Sequence, residues 1–89
     1  FDLIICNGVY GWGLYRAEDC EQALAQCHAC MSLGGHLLFG WNDLPRRDPV
    51  PLARVRNFAL FTPYVFPPLA TAQFLTNTPY RHTYWFFRK

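Results

Sequence analysis

Residues 1–7 read FDLIICN, and the unbroken apolar stretch Leu3, Ile4, Ile5 and Cys6 decides how the rest of the chain is understood. A continuous run of this kind marks a strand covered on both faces, and such strands occur mainly in parallel sheets flanked by helices. Asn7 and Gly8 end the run. The adjoining segment, NGVYGWGLY at residues 7–15, is conformationally permissive through Gly8, Gly11 and Gly13. It is predicted to be a loop beyond the carboxyl end of a strand, where open α/β sheets place ligands. Its aromatic residues either face a ligand or roof the core.

Working outward, the period changes to that of a helix from Glu18 to Ser32. Glu18, Asp19 and Glu21 complement the dipole at its start, and Gly34 with Gly35 supplies the stop. Cys20, Ala23, Leu24, Cys27, Cys30 and Met31 recur at three- and four-residue intervals and make one apolar face. Gln22, Gln26 and His28 fall toward solvent or at the margins of that face. His36 to Trp41 is the next strand, centred on Leu37, Leu38 and Phe39. Strand, helix and strand within about 40 residues is the length of a parallel crossover. Asn42, Asp43 and Pro45 then leave at the carboxyl end.

The second half is punctuated by proline. Pro45, Pro49 and Pro51 argue for a loop, Leu52 to Leu60 is either a short helix or an extended segment, and Pro63, Pro67 and Pro68 interrupt the stretch beyond it. Phe58, Phe61, Tyr64 and Phe66 cover one end of the sheet or line a substrate cavity, core cover being the commoner role. Ala70 to Leu75 and His82 to Phe87 are strands, joined through the turn residues Asn77 and Pro79 into an antiparallel hairpin. Arg88 and Lys89 are expected at its exposed end.

A hydrophobic content of 52% against 16% charged argues against disorder and predicts more apolar surface than one small unit hides. A partner, or a missing N-terminal half, is expected to cover it. The opening inside a strand, without an initiating Met, fits a fragment or processed chain. No run approaches the roughly 18 apolar residues of a membrane span, and no basic segment leads into an apolar one, so the cytoplasm is the default compartment. Charge is uneven: one Arg stands against five acids before Pro45, and seven Lys or Arg against one Asp from Arg46 onward. Without a compact basic run or a nucleic-acid-binding motif, a nucleic-acid partner is not expected.

The four cysteines, Cys6, Cys20, Cys27 and Cys30, are even in number and would suit two disulfides outside the cell. Their placement on a strand and a helix face favours reduced thiols acting as small hydrophobes. CHAC at residues 27–30 has the spacing of a redox pair or half a zinc site. It lies toward the helix C-terminus, away from the dipole end that stabilises thiolate, and lacks a second ligand pair. No metal site is expected.

Together, FDLIICNGV, EDCEQALAQCHACMSLGGHLLFGWND and HTYWFFRK resemble, in order as well as composition, the later half of a class I S-adenosylmethionine-dependent methyltransferase. The resemblance runs over almost the whole chain and is loose from Pro45 to Pro68. It implies a partial Rossmann-like α/β sheet, a single unit over residues 1–89, in which Phe1 to Cys6 is the family's fourth strand and His36 to Trp41 its fifth. Ala70 to Leu75 and His82 to Phe87 are then the closing hairpin. It implies that Asn7, Gly8 and Val9, with Tyr10 beside them, form the post-strand motif facing methyl donor and acceptor. Asn42 and Asp43 fall near the acceptor entrance, and Gly34-Gly35 is a structural turn. The family's glycine-rich turn after its first strand and acidic residue after its second have no counterpart here. S-adenosyl-L-methionine is therefore expected in a complete parent protein and not in the isolated chain, with a small molecule as methyl acceptor.

No catalytic residue is assigned. Asn7 is the residue expected to contact the site, set against a plain role in capping the strand-to-loop transition. Asp43 and His36 are remote proton acceptors or an ordinary turn and strand residue. His28 is a surface helix residue, and His82 has no recognisable Ser, Cys or acidic partner. Trp12, Trp41 and Trp85 recognise a planar substrate or, more economically, are buried in a core or interface. The competing functional class is a small structural or protein-interaction domain that uses the free side of the first strand.

Overall fold

Alternation along β1 (Leu3–Asn7) separates two environments. Ile4 and Cys6 pack onto the core, whereas Leu3 and Ile5 are 55% and 60% exposed on the other face. The computed structural model describes residues 1–8, 16–42 and 52–89. Among these residues the strand expected to be covered twice is covered once.

The helix α1 (Ala17–Cys30) lies within two residues of the expected span at each end. No side chain caps its first turn. Glu18 and Asp19 sit there instead, and the Glu18 carboxyl is held below its ordinary value by a backbone hydrogen bond and by Arg16. Cys20 and Leu24 are buried against the sheet, with Cys27 beside them. Cys30 departs from the expected apolar face and is exposed. At 3.6 residues per turn it lies about 80° round the helix from Cys20, off the packed stripe.

Two glycines turn the chain from α1 into β2 (His36–Asn42). Gly34 has φ +81°, a conformation that side chains resist. A Cβ on Gly35 would meet Met31 Cγ at 2.7 Å and the Ser32 carbonyl oxygen at 2.9 Å. This close approach lets the His36 N–H donate to Asp2 O at 2.9 Å, where the parallel pairing begins. The register runs from Leu3↔His36 to Asn7↔Gly40. Leu37, Phe39 and Trp41 point into the core, Leu37 with only 1% exposure.

Residues 52–60 form two 3-10 helices, Leu52–Arg54 and Arg56–Leu60, resolving the helix-or-extended alternative toward the tighter helix. Phe58 inserts between Phe39, Trp85 and Phe87, with ring centroids 5.2, 5.2 and 5.3 Å away. Asn57 fastens the segment to α1: its N–H donates to Glu21 Oε1 at 2.9 Å and its side-chain amide to Glu21 O at 2.7 Å. Phe58 and Phe61 thus cover the core, the commoner of their two expected roles.

The short β3 (Thr62–Pro63) and β4 (Gln73–Leu75) pair with successive stretches of β5 (His82–Arg88), which pairs on its other edge with β2. All three pairings are antiparallel, so β5 runs against the other strands. The sheet order is β1-β2-β5-β3, with β4 also on β5. The first strand of the hairpin is shorter than Ala70 to Leu75. Ala70 has φ +54° and closes a tight turn after Pro67 and Pro68, its N–H donating to Phe66 O at 2.8 Å. Lys89 is not a free strand end either. Its Nζ donates to His28 O at 2.6 Å and Met31 O at 2.9 Å, satisfying carbonyls at the end of α1.

The protein is therefore a mixed α/β unit: among the described residues, one α-helix and two 3-10 helices accompany one mixed sheet. None of the described helices is long and apolar enough to cross a membrane.

Candidate functional site

Because β1 and β2 are parallel, their carboxyl ends lie at the same edge, and because β5 is antiparallel to β2, its first residue arrives there too. Asn42 is directly opposite His82 in the register. Alternation puts Asn7, Gly40, Asn42, His82 and Tyr84 on the sheet face away from α1, the face that also carries Leu3 and Ile5.

Three side chains meet at this edge. His82 Nδ1 lies 2.6 Å from Asn42 Oδ1, and His82 Nε2 lies 2.8 Å from Asn7 Oδ1. A ring donating to both oxygens carries two N–H groups. A ring with one N–H donates to one carboxamide and accepts from the NH2 of the other, turned about its Cγ. In both cases one imidazole joins the ends of β1 and β2. The Tyr84 ring stands edge-on to His82 at 4.8 Å. Gly40 leaves the room: a Cβ there would come within 2.5 Å of Asn7 Oδ1 and 2.9 Å of the Tyr84 ring.

Gly8 comes next with φ +72°, its N–H donating to Gly40 O at 2.9 Å as the chain leaves the sheet. No described residue stands within 4 Å of where its Cβ would be, so the backbone's shape makes glycine suitable. Val9, Tyr10, Trp12 and Asp43, each expected to face or border the site or to bind a substrate, lie outside the described residues. On the opposite sheet face, Trp41 is buried beside Trp85, and its indole N–H has no partner among the described residues. A buried donor without a partner costs about 1–3 kcal/mol.

The other expected candidates are elsewhere. His36 is at the amino end of β2, six residues from Asn42 and so about 20 Å away along the strand, packed against the Tyr64 ring at 4.6 Å. His28 sits at the helix margin, edge-on to Phe61 at 5.3 Å. Cys6, Cys20 and Cys27 line a small apolar void of about 10 Å³ under α1, and all four cysteines are free thiols. Burial raises the thiol pKa of Cys20 and Cys27 and pushes that of Cys6 up to about 11, the state of packing groups rather than nucleophiles. No group of His, Cys, Asp and Glu among the described residues is placed to hold a metal ion.

His82 is the residue that sequence reasoning passes over. A histidine is recognisable in one dimension through a Ser, Cys or acidic partner, and the partners of His82 are carboxamides. The available signal is positional: a strand that runs antiparallel to β2 begins at the edge where β2 ends. Compared with protein-family models, curated proteins and solved structures, the chain matches none of them.

Proposed function

We propose that this chain is the later part of a class I S-adenosylmethionine-dependent methyltransferase, a Rossmann-like partial sheet that does not transfer a methyl group by itself. The carboxyl edge carries the reading. The unit β1–α1–β2 is parallel, a final strand docks antiparallel on β2, and Asn7, Asn42 and His82 converge where such sheets bind their ligands.

In this reading Asn7 and Gly8 form one wall of the donor and acceptor region, the role that the resemblance also gives to Val9. Gly8, with no side chain and no described atom within 4 Å of where one would begin, suits a backbone passing close to a bound group. When bound, the sulfonium donor supplies an electrophilic methyl group. The residues present contribute orientation, the larger share of the acceleration when two reactants must meet in line. The glycine-rich turn and the ribose-binding acid belong, in this proposal, to further polypeptide. The acceptor is a small molecule, and a reducing compartment such as the cytoplasm suits four free thiols.

Calorimetry with S-adenosylmethionine tests the reading. No binding by the 89-residue chain, together with binding by a longer product of the same reading frame, is the expected result. A longer product that carries no glycine-rich turn, or that fails to bind, would overturn it.

A second reading, a protein-interaction unit, rests on the exposed side of β1. Leu3 borders an apolar groove of about 440 Å³ formed with Leu38, Tyr64, Phe66 and Phe86, Ile5 is exposed on the same sheet face, and no described strand pairs with the outer edge of β1. Size measurement at increasing concentration distinguishes the two. Association that Ile5→Lys abolishes favours the interaction unit, and a monomer at all concentrations counts against it.

A further inference from the structure

We infer that His82 is a positioning residue that orients the carboxamides of Asn7 and Asn42 so that they offer paired N–H donors to a carboxylate oxygen of a ligand. The inference rests on the methyl-transfer reading only for the identity of that ligand, there the methyl acceptor. The donor geometry stands without it.

Both Oδ1 atoms are turned to the ring, at 2.6 and 2.8 Å. A carboxamide is planar and trigonal at Cγ, so an oxygen held by the ring directs the Nδ2 group away from it. Among the described residues no acceptor engages either Nδ2. In this placement both ring nitrogens face carboxamide oxygens, and the two NH2 groups left pointing outward complement an anion. The groups are also placed where a ligand arrives, at the carboxyl ends of two parallel strands.

The local construction favours this arrangement over a chance contact. Gly40 removes the side chain that would displace Asn7, Tyr84 buttresses the ring from within β5, and Asn42 is brought opposite His82 by the register itself. A pure staple joining β1, β2 and β5 would use the same hydrogen bonds, but it would give the edge no preference among ligands. Ligand preference is therefore the property to measure.

The test is a nuclear magnetic resonance titration of the 89-residue chain with acetate, acetamide and methylammonium at about 10–100 mM, the range suited to two-hydrogen-bond fragments. Acetate is expected to shift the side-chain NH2 signals of Asn7 and Asn42 together, acetamide less, and methylammonium not at all. In His82→Phe, with the backbone signals of Leu37 and Phe39 unchanged, the two NH2 signals should become those of solvated carboxamides and apparent acetate affinity should fall about tenfold or more. Should His82→Phe not fold, Asn42→Asp serves. It keeps an oxygen for the ring but replaces a donor with negative charge, so acetate should be rejected. Acetate shifts absent in the parent chain, equal shifts with methylammonium, or undiminished acetate affinity in the folded variants would each overturn the inference. None of these outcomes depends on S-adenosylmethionine, so failure here and failure of the methyltransferase reading are separable.

Discussion

Gly40 has no side chain because Asn7 and Tyr84 occupy the place where one would go. Its backbone has no left-handed φ, so an alanine would bring steric conflict without backbone strain. Gly40→Ala is expected to push the Asn7 side chain off His82 and lower stability by about 1–3 kcal/mol, the usual range for overpacking. Denaturant unfolding reads the stability, and the Asn7 NH2 signal reads the displacement. A fully stable variant with an unmoved Asn7 signal would show that the space is not needed. Asn7 is legible at this scale, since a polar residue ending an apolar run is visible in one dimension. Gly40 is not, because its role is defined by atoms from β1 and β5.

Among the elements, α1 depends on distant residues at its end. Lys89 donates to the carbonyls of His28 and Met31, so the last residue of the chain caps a helix that ends 59 positions earlier. Lys89→Met keeps the aliphatic stem and removes both bonds. The expected loss is about 1–2 kcal/mol, since each net hydrogen bond contributes about 1 kcal/mol and charge-assisted bonds somewhat more. Faster hydrogen exchange confined to the last turn of α1 would accompany it. Unchanged stability and protection would mean that water replaces the amine at no cost. The elements themselves are largely legible: β1, α1, β2 and β5 lie within two residues of expectation, because hydrophobic period and glycine stops are local signals. Ala70 falls outside its expected strand because a turn built on Pro67 and Pro68 outweighs the strand propensity after it.

For the whole molecule, the thiols under α1 couple stability to alkaline pH. Burial is the main reason Cys6 is pushed from 9.0 to about 11, with Cys27 and Cys20 adding to it. The folded state therefore holds this proton more tightly than the unfolded chain. The contribution is fully present below about pH 9 and is lost as pH rises toward about 11, as linkage requires when the folded pKa is the higher. Allowing for partial exposure, the loss is about 1 kcal/mol. Cys6→Ala should flatten the fall in stability between pH 9 and pH 11, read by urea unfolding at stepped pH. An equally steep fall in the variant would assign it to other groups.

The kind and order of β1, α1, β2, β4 and β5, the parallel β1–α1–β2 unit, the closing hairpin and the place of Asn7 at a strand's end are written in the sequence, whereas residues 52–63 are not. The former come from periodicities of two and 3.6 residues and from turn chemistry, all written within a few positions of one another. The docking of β5 on β2, the closure of α1 by Lys89 and the position of His82 between Asn7 and Asn42 arise in the folded chain. Those contacts join residues 40 to 75 positions apart. Their partners are chosen by strand register and by the space left at Gly40, quantities that exist only once the chain has folded back on itself.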